Sequence, residues 1–375
     1  MTIKLTGKID SSNAAEIEAN IRTEIGENVG ELIIDATELT YISSAGLRVI
    51  LRLKKAIPDT KVVNCNPEVY EIFDMTGFTE MMSVQKAYRK ISVENCEILG
   101  EGANGIVYRA DPETIVKVYK MPDSLPAIQN ERELARKAFV MGIPTAIPYD
   151  IVQVGDLYGS VFELLNAKSF SAMLNEGANV DELAKQSVDI LKIIHATVMK
   201  EGELPSKQKE AAAWAEYCAP YLPDEIGGKL VKLFKEIPEA YTMLHGDYHI
   251  KNIMRQGDEN LLIDMDTLAL GHPVFEFAQM YIAYQGYSET SPADSKKFLG
   301  VDHETATEFW EKSLKYYFDG KDETFINGVV TKARIIAYTR MLRRNIKRKL
   351  DNAESTENCK AQLIKLVPCI DSLSF

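Results

Sequence analysis

Short apolar runs recur through residues 1–90 at "TIKLTGKI", "ELIID" and "KVVNC", rich in β-branched residues and bounded by polar or turn positions. Between them, "NAAEIEANIRTEI", "SAGLRVILRLKKAI" and "EVYEIFDMTGF" place apolar residues three and four positions apart. The first pattern predicts strands and the second amphipathic helices. Strands alternating with helices predict an open α/β sheet with helices packed on it. Near residue 95 the pattern changes. "CEILGEGANGIVYRADPETIVKVYK" predicts two β-rich segments joined by a glycine turn, "AIQNERELARKAFVMGIP" a helix, "GSVFELL" a strand, and the rest is mostly helical. The junction "YRKISVEN" is too short to act as a free tether.

A chain of 375 residues exceeds what one hydrophobic core usually organises, so two or three globular units are expected. With 46% hydrophobic and 26% charged residues and no low-complexity stretch, every segment is expected to fold. The amino terminus "MTIKLTGKID" lacks the apolar core of a signal peptide, and no run approaches the roughly 18 apolar residues of a membrane span. A cytoplasmic protein without membrane association is expected. The five cysteines are scattered and form no CxxC pair, which argues for reduced, packed thiols.

A net charge of −12 disfavours nucleic acid as a partner. The basic stretch "TKARIIAYTRMLRRNIKRKL", residues 331–350, spaces its apolar positions helically and predicts a packed amphipathic helix with a solvated cationic face.

"GEGANG" places Gly100, Gly102 and Gly105 in a GxGxxG pattern shared by different folds. Here β-branched and aromatic residues continue on both sides, which predicts a hairpin in place of a strand leading into a helix. Such a hairpin can fold over nucleotide phosphates with backbone N–H groups close to the anion, and Val107 would roof an adenine. A plain hairpin with flexible glycines is the alternative. Lys117 lies between Val116 and Val118 in the following strand, where it can hold phosphates if an acidic partner fixes it. The next helix offers Glu131 and Glu133. An exposed edge-strand lysine would also account for Lys117. The end of "GSVFELL" can form a hinge whose backbone, from Glu163 to Leu165, meets an adenine edge.

The polar loop "HGDYHIKN", residues 245–252, precedes an apolar run that ends in "LLID". Phosphoryl transfer to a hydroxyl needs a carboxylate to orient the nucleophile and oxygen ligands for magnesium. Asp247 suits the first role, Asn252 and Asp264 the second, and His245 would brace the loop. A His/Asp/His metal centre of a hydrolase and a structural polar turn remain as alternatives, although five histidines would supply a dinuclear site poorly.

Over about residues 95–375 the chain resembles the aminoglycoside phosphotransferase and choline kinase family, the small-molecule branch of the protein-kinase-like fold. "HGDYHIKN" with "LLID" is the most specific part of the likeness. The resemblance implies Asp247 as catalytic base, Asn252 and Asp264 as metal ligands, Lys117 as the phosphate-binding lysine and Glu131 as its ion-pair partner, with ATP and Mg²⁺ as cofactors. It also implies an N-lobe of about residues 93–165 and a C-lobe of about 166–375. Gly246 replaces the arginine of the protein-kinase HRD triplet, "DMD" replaces DFG, and no long activation segment or APE motif follows. A small hydroxyl compound is therefore the expected substrate; an acidic chain suits an amine-bearing alcohol by simple attraction, but net charge says little about one pocket. Glu276 stands where this family usually has aspartate.

Residues 1–92 resemble the STAS domain of anti-sigma-factor antagonists through "GKIDSSNA", "LIIDATELTYISSAGLRVIL" and "EIFDMTGF". That likeness implies a site for a protein partner and makes Ser44, at the start of a predicted helix, a candidate for phosphorylation. Ser43 occupies the place where many members carry aspartate. The expected fold is thus an α/β STAS domain followed by an α+β bilobal protein-kinase-like domain spanning residues 93–375. The expected activity is transfer of the ATP γ-phosphate to a small-molecule hydroxyl. A catalytically idle nucleotide-binding scaffold, and a STAS-based switch with a kinase acting on a STAS serine, are the alternatives.

Overall fold

The computed structural model describes residues 1–26, 29–102, 104–146, 148–350 and 353–375. The chain divides into two compact units: residues 1–95 with 151–159, and residues 96–150 with 160–375.

In the first unit, strands and helices alternate as β1 (Thr2–Ile9), α1 (Ala14–Ile25), β2 (Glu31–Ile42), α2 (Ser44–Ala56), β3 (Asp59–Cys65), α3 (Pro67–Met75), α4 (Phe78–Met81) and β4 (Val84–Lys86). The four strands form a sheet in the order β1-β2-β3-β4, every pair parallel. Parallel neighbours need crossovers, and α1 and α2, with the α3–α4 pair, supply them. Alternate positions of β2, Leu32, Ile34 and Ala36, are fully buried and meet Leu47, Ile50 and Leu53 from one face of α2. Each such Leu or Ile side chain contributes about 1.5–3 kcal/mol through burial. Helix α2 starts where the Ser43 hydroxyl accepts the N–H of Ala45, at 3.2 Å, and stops just before Pro58. The strand β5 (Arg89–Lys90) pairs in parallel with Val152 and Gln153 of β9 (Pro148–Val154).

The second unit opens with the antiparallel strands β6 (Ile98–Glu101), β7 (Gly105–Arg109) and β8 (Thr114–Tyr119), followed by helix α5 (Leu125–Val140). The Ser160–Glu163 portion of β10 (Leu157–Glu163) flanks β8 on its other side. Strand β8 is therefore internal, and Lys117 is not an edge lysine.

Beyond β11 (Lys168–Ser169), the chain forms helices α6 (Phe170–Asn175), α7 (Val180–Ala196), α8 (Lys207–Cys218) and α9 (Asp224–Lys235). A group of short strands follows: β12 (Met243–Leu244), β13 (Ile253–Gln256), β14 (Glu259–Leu262) and β15 (Ala269–Leu270). Strands β13 and β14 form a hairpin around Gly257 and Asp258, with Gly257 at φ +58°. Helix α10 (Val274–Tyr281) runs into a π-helical turn, Ile282–Gly286, and then α11 (Ala293–Leu299), α12 (His303–Tyr317), α13 (Glu323–Lys347) and α14 (Glu354–Leu366) complete the unit. Helix α10 packs on α13, and α7 on α12.

The cationic face of α13 differs from the solvated one expected. Arg334, Arg340 and Arg344 are half-buried and bond inward, Arg334 to Tyr338 and Gln362, Arg340 to Gln279 and Arg344 to Tyr287. Helical periodicity locates an arginine on a face but does not reveal polar partners on neighbouring helices that draw it in.

Candidate active site

The β7–β8 register sets Val107 opposite Lys117, so both side chains leave the same face of the sheet. On that face the Lys117 ammonium lies 2.9 Å from Glu131 of α5 and 2.8 Å from Asp264, which follows β14. Burial works against the lysine's charge, but Asp264 and Glu131 outweigh it and raise its pKa above the ordinary lysine value. The hydroxyl of Tyr119 donates to the second oxygen of Glu131. Glu133, two positions away, instead pairs with Lys137 at 2.8 Å.

Of the glycines in the turn, Gly105 has a local requirement. A Cβ there would stand 2.6 Å from the Val118 carbonyl oxygen. Around Gly100 and Gly102 there is open space, so packing does not demand glycine at either. At the end of β10 the Leu164 N–H donates to the Glu113 carbonyl at 2.7 Å, between the two positions, Glu163 and Leu165, expected to meet an adenine.

The β13–β14 hairpin brings the polar loop to Asp264. Ile253 pairs with Leu262, and just outside that pair the Ile263 N–H donates to the Asn252 carbonyl at 3.0 Å. Asn252 is buried and turns its side-chain NH2 to the Asp247 carbonyl oxygen at 3.0 Å and to Asp247 Oδ2 at 3.4 Å. Its Oδ1 is therefore the atom it can offer to a cation. Asp264 adopts the left-handed conformation, φ 60° and ψ 63°, which is strained for a residue with a Cβ and is typical of functional turns.

Asp247 is held on three sides. Gln279 of α10 donates to Oδ1 at 2.7 Å, Asn252 approaches Oδ2, and His249 Nε2 stands 3.5 Å from Oδ2. Burial opposes its ionisation, but His249, His245 and the Gln279 amide outweigh that and hold the carboxyl well below the usual carboxylate range. His245 is fully buried, which depresses its pKa. Its Nδ1 accepts the Asp247 N–H at 3.3 Å and its Nε2 bonds the Ile263 carbonyl at 3.2 Å, a pattern that suits the neutral imidazole.

Beneath the loop, the fully buried Glu276 accepts the N–H groups of His245 (2.6 Å) and Gly246 (2.9 Å). Burial opposes its charge, and His195, 3.8 Å away, together with His245 and that backbone bond, keeps its pKa below the ordinary glutamate value. The longer side chain thus reaches the loop backbone. Gly246 sits at φ +80°, where a Cβ would lie 2.4 Å from the Thr267 carbonyl oxygen. No arginine could replace it without moving that backbone.

Glu131 and Asp264 both pair with the Lys117 ammonium, and Asp266 lies close enough to feel all three charges. Asp266, half-buried, is pushed up to about 7, first by burial and then by the charges of Glu131 and Asp264, with Lys117 opposing. This surplus of negative charge, with hard oxygens on Asp264 and Asn252, fits a divalent cation. Among the described residues no three His, Cys, Asp or Glu side chains form a complete metal cage. Mg²⁺ usually takes one or two carboxylates and completes its shell with phosphate and water oxygens.

The model of the phosphotransferase enzyme family matches residues 95–309, more than half of the chain. The chain belongs to that family. The STAS domain model matches residues 1–92, ahead of the phosphotransferase unit. The first unit is 34% identical over 84 residues to BtrV of Bordetella bronchiseptica, a candidate anti-sigma factor antagonist; the match spans 21% of this chain and 72% of BtrV. Among solved structures, the GDP and kanamycin complex of the aminoglycoside phosphotransferase APH(2")-IIia aligns with a TM-score of 0.50 and 12% identity, covering 80% of this chain and 99% of that one. A thermostable mutant of APH(4)-Ia, bound to AMP-PNP and hygromycin B, aligns with a TM-score of 0.50 and 11% identity, covering 73% and 93%. These structural likenesses establish the kinase-like fold of the phosphotransferase unit.

In the STAS unit, Ser43 is the helix cap and the exposed Ser44 is the first residue of α2. No helix among the described residues is long and apolar enough to cross a membrane.

Gln279, Arg340 and Asp266 also belong to the site, and the sequence assigns none of them a role there. Gln279 lies three residues after Glu276 on one helical face, and that spacing is the only local signal it offers.

Proposed function

We propose that the phosphotransferase unit moves the γ-phosphoryl group of ATP to a hydroxyl of a small molecule, and that the STAS unit docks a protein partner or regulates that activity. The observation that carries this reading is the pairing of Lys117 with Glu131 and Asp264, and of Asn252 with Asp247, the two sets joined by the backbone bond from Ile263, next to Asp264, to the Asn252 carbonyl.

In this reading Lys117, fixed by Glu131, binds the donor phosphates, and the glycine hairpin brings backbone N–H groups over them. Val107 and the backbone of Glu163 and Leu165 receive the adenine. Asn252 and Asp264 supply oxygen ligands for Mg²⁺, which when bound neutralises phosphate charge. Asp247 accepts a hydrogen bond from the acceptor hydroxyl and orients it. As the acceptor oxygen bonds to phosphorus and the bond to the nucleoside diphosphate breaks, the hydroxyl proton passes to Asp247.

The test is a screen of hydroxylated metabolites and aminoglycosides for phosphate acceptance from MgATP, with Asp247→Ala beside the unaltered protein. Magnesium-dependent turnover that Asp247→Ala abolishes while nucleotide binding persists supports the reading. Nucleotide binding with no turnover on any acceptor would mark the unit as a scaffold.

A further inference from the structure

A cavity of about 570 Å³ lies among the C-terminal helices of the second unit, a volume suited to a small molecule. Tyr287, just past the π-helical turn, Phe298 of α11 and Arg344 of α13 form its walls, with Asp294, Lys297 and Glu354 along its lining. It adjoins the loop that carries Asp247. The Phe298 ring stands edge-on to His249 at 5.2 Å, and His249 lies 3.5 Å from Asp247. Phe298 also packs edge-on against Tyr287 at 4.8 Å, so one aromatic wall runs from the catalytic loop into the cavity.

The charges within this lining are unevenly satisfied. Asp294 and Lys297 pair with each other at 2.6 Å, and Glu354 is exposed, where water screens it. Arg344 is half-buried, with its guanidinium stacked 4.7 Å over the Tyr287 ring and one nitrogen donating to the Tyr287 hydroxyl at 2.5 Å. Among the described residues no carboxylate lies within ion-pair distance of it, and its Nε is buried without a hydrogen-bond partner. Where it faces the cavity, the planar guanidinium fork matches a carboxylate or a phosphate.

We propose that this cavity receives the phosphoryl acceptor, and that the acceptor is a hydroxyl compound bearing a carboxylate or phosphate group held by Arg344, its ring or carbon skeleton lying on Tyr287 and Phe298. The inference rests on the phosphotransferase reading above and adds the chemical class of the acceptor. The charges lining one cavity, not the net charge of −12 summed over the chain, select its ligand.

The full-length protein, labelled with ¹⁵N-arginine, is titrated with four probes of similar skeleton: glucose, glucosamine, gluconate and glucose 6-phosphate. The Arg344 Nε signal is identified by its loss in Arg344→Lys. Gluconate or glucose 6-phosphate is expected to shift this signal with saturation, and the neutral and cationic probes to leave it in place; the two anions separate carboxylate from phosphate. Arg344→Met is expected to weaken anion binding at least tenfold with nucleotide affinity unchanged. Arg344→Lys, which retains the charge but loses the fork, should weaken it in the same direction if the methionine variant does not fold. The proposal is overturned if neither anion moves the signal, or if glucose and glucosamine move it equally. Turnover with MgATP separates the two levels. Phosphorylation of glucosamine and of neither anion overturns the acceptor class and leaves the phosphotransferase reading standing. Anion binding at Arg344 with no phosphoryl transfer to any hydroxyl overturns both.

Discussion

The side-chain amide of Gln279 donates a 2.7 Å hydrogen bond to the carboxylate of Asp247, 32 positions earlier in the chain. The same amide accepts a bond from Arg340, whose guanidinium stacks 5.5 Å over the Trp214 ring. Gln279 is buried and its orientation is fixed at both ends, so it positions the Asp247 carboxylate instead of following it. Gln279→Leu should lower turnover about tenfold, equivalent to about 1.4 kcal/mol of transition-state stabilisation, with nucleotide affinity unchanged. Gln279→Glu should be worse, because it sets a like charge beside Asp247. Initial-rate kinetics beside equilibrium nucleotide binding would check both. Equal losses of binding and turnover would indicate a general structural role.

Glu276 gives a pH signature. Its folded-state pKa lies below the ordinary glutamate value, so its carboxylate contributes stability that is present above about pH 4.5 and is lost as pH falls through the folded pKa. Glu276→Gln can accept one of the two loop N–H bonds, but its own NH2 then faces the other donor. A loss of about 1–3 kcal/mol is expected at pH 7, shrinking towards acid pH because the variant has no carboxylate to protonate. Urea denaturation at pH 7 and at pH 4 measures the difference, and a gap that widens in acid would contradict the assignment.

Gly246→Ala tests the loop backbone directly. At φ +80° any side chain is strained, and the added Cβ would lie 2.4 Å from the Thr267 carbonyl oxygen. The Thr267 hydroxyl also donates to the His245 carbonyl at 2.8 Å, so this strand of backbone cannot retreat freely. A destabilisation on the order of 3 kcal/mol is expected. A denaturation midpoint equal to that of the unaltered protein would remove the packing argument.

Features of this site written in local sequence are legible along the chain, and those made by tertiary packing are not. The alternation around β2 and the apolar face of α2 are local patterns, and they account for the STAS unit's parallel sheet and its covering helices. The interruption of "IVKVYK" by Lys117 is equally local, because a charge between two valines in a strand demands a partner. Which glutamate of α5 that partner is depends on the helix's rotation against the sheet: Glu131 faces Lys117, and Glu133 points to its own i+4 neighbour, Lys137. Gln279 and Arg340 come from helices 61 positions apart and meet only because α10 packs on α13. No periodicity records that meeting, and for the same reason the arginines of α13 read as solvent-facing.

Lys117→Met removes the ammonium that Glu131, Asp264 and Asp266 share while retaining a side chain of similar length. The remaining carboxylates would then repel both one another and the donor phosphates, so nucleotide affinity should fall by more than tenfold in the absence of magnesium. Magnesium should recover part of that loss, because it replaces some of the missing positive charge. Fluorescent-nucleotide titrations with and without the metal test the order of these effects. Unchanged affinity in both conditions would place the phosphates away from Lys117.

Ser44 is exposed at the first position of α2, where unpaired backbone N–H groups and the positive end of the helix dipole favour an added phosphate. The Ser43 hydroxyl already caps Ala45, so phosphorylation of Ser44 would not remove the existing cap. The attached phosphotransferase unit need not be the enzyme that modifies it. Mass spectrometry of the full chain after incubation with MgATP, beside a Lys117→Ala form, separates the cases. Phosphate on Ser44 in the unaltered chain and its absence from the variant would make the modification the chain's own activity. Ser44 unmodified in both would exclude autophosphorylation.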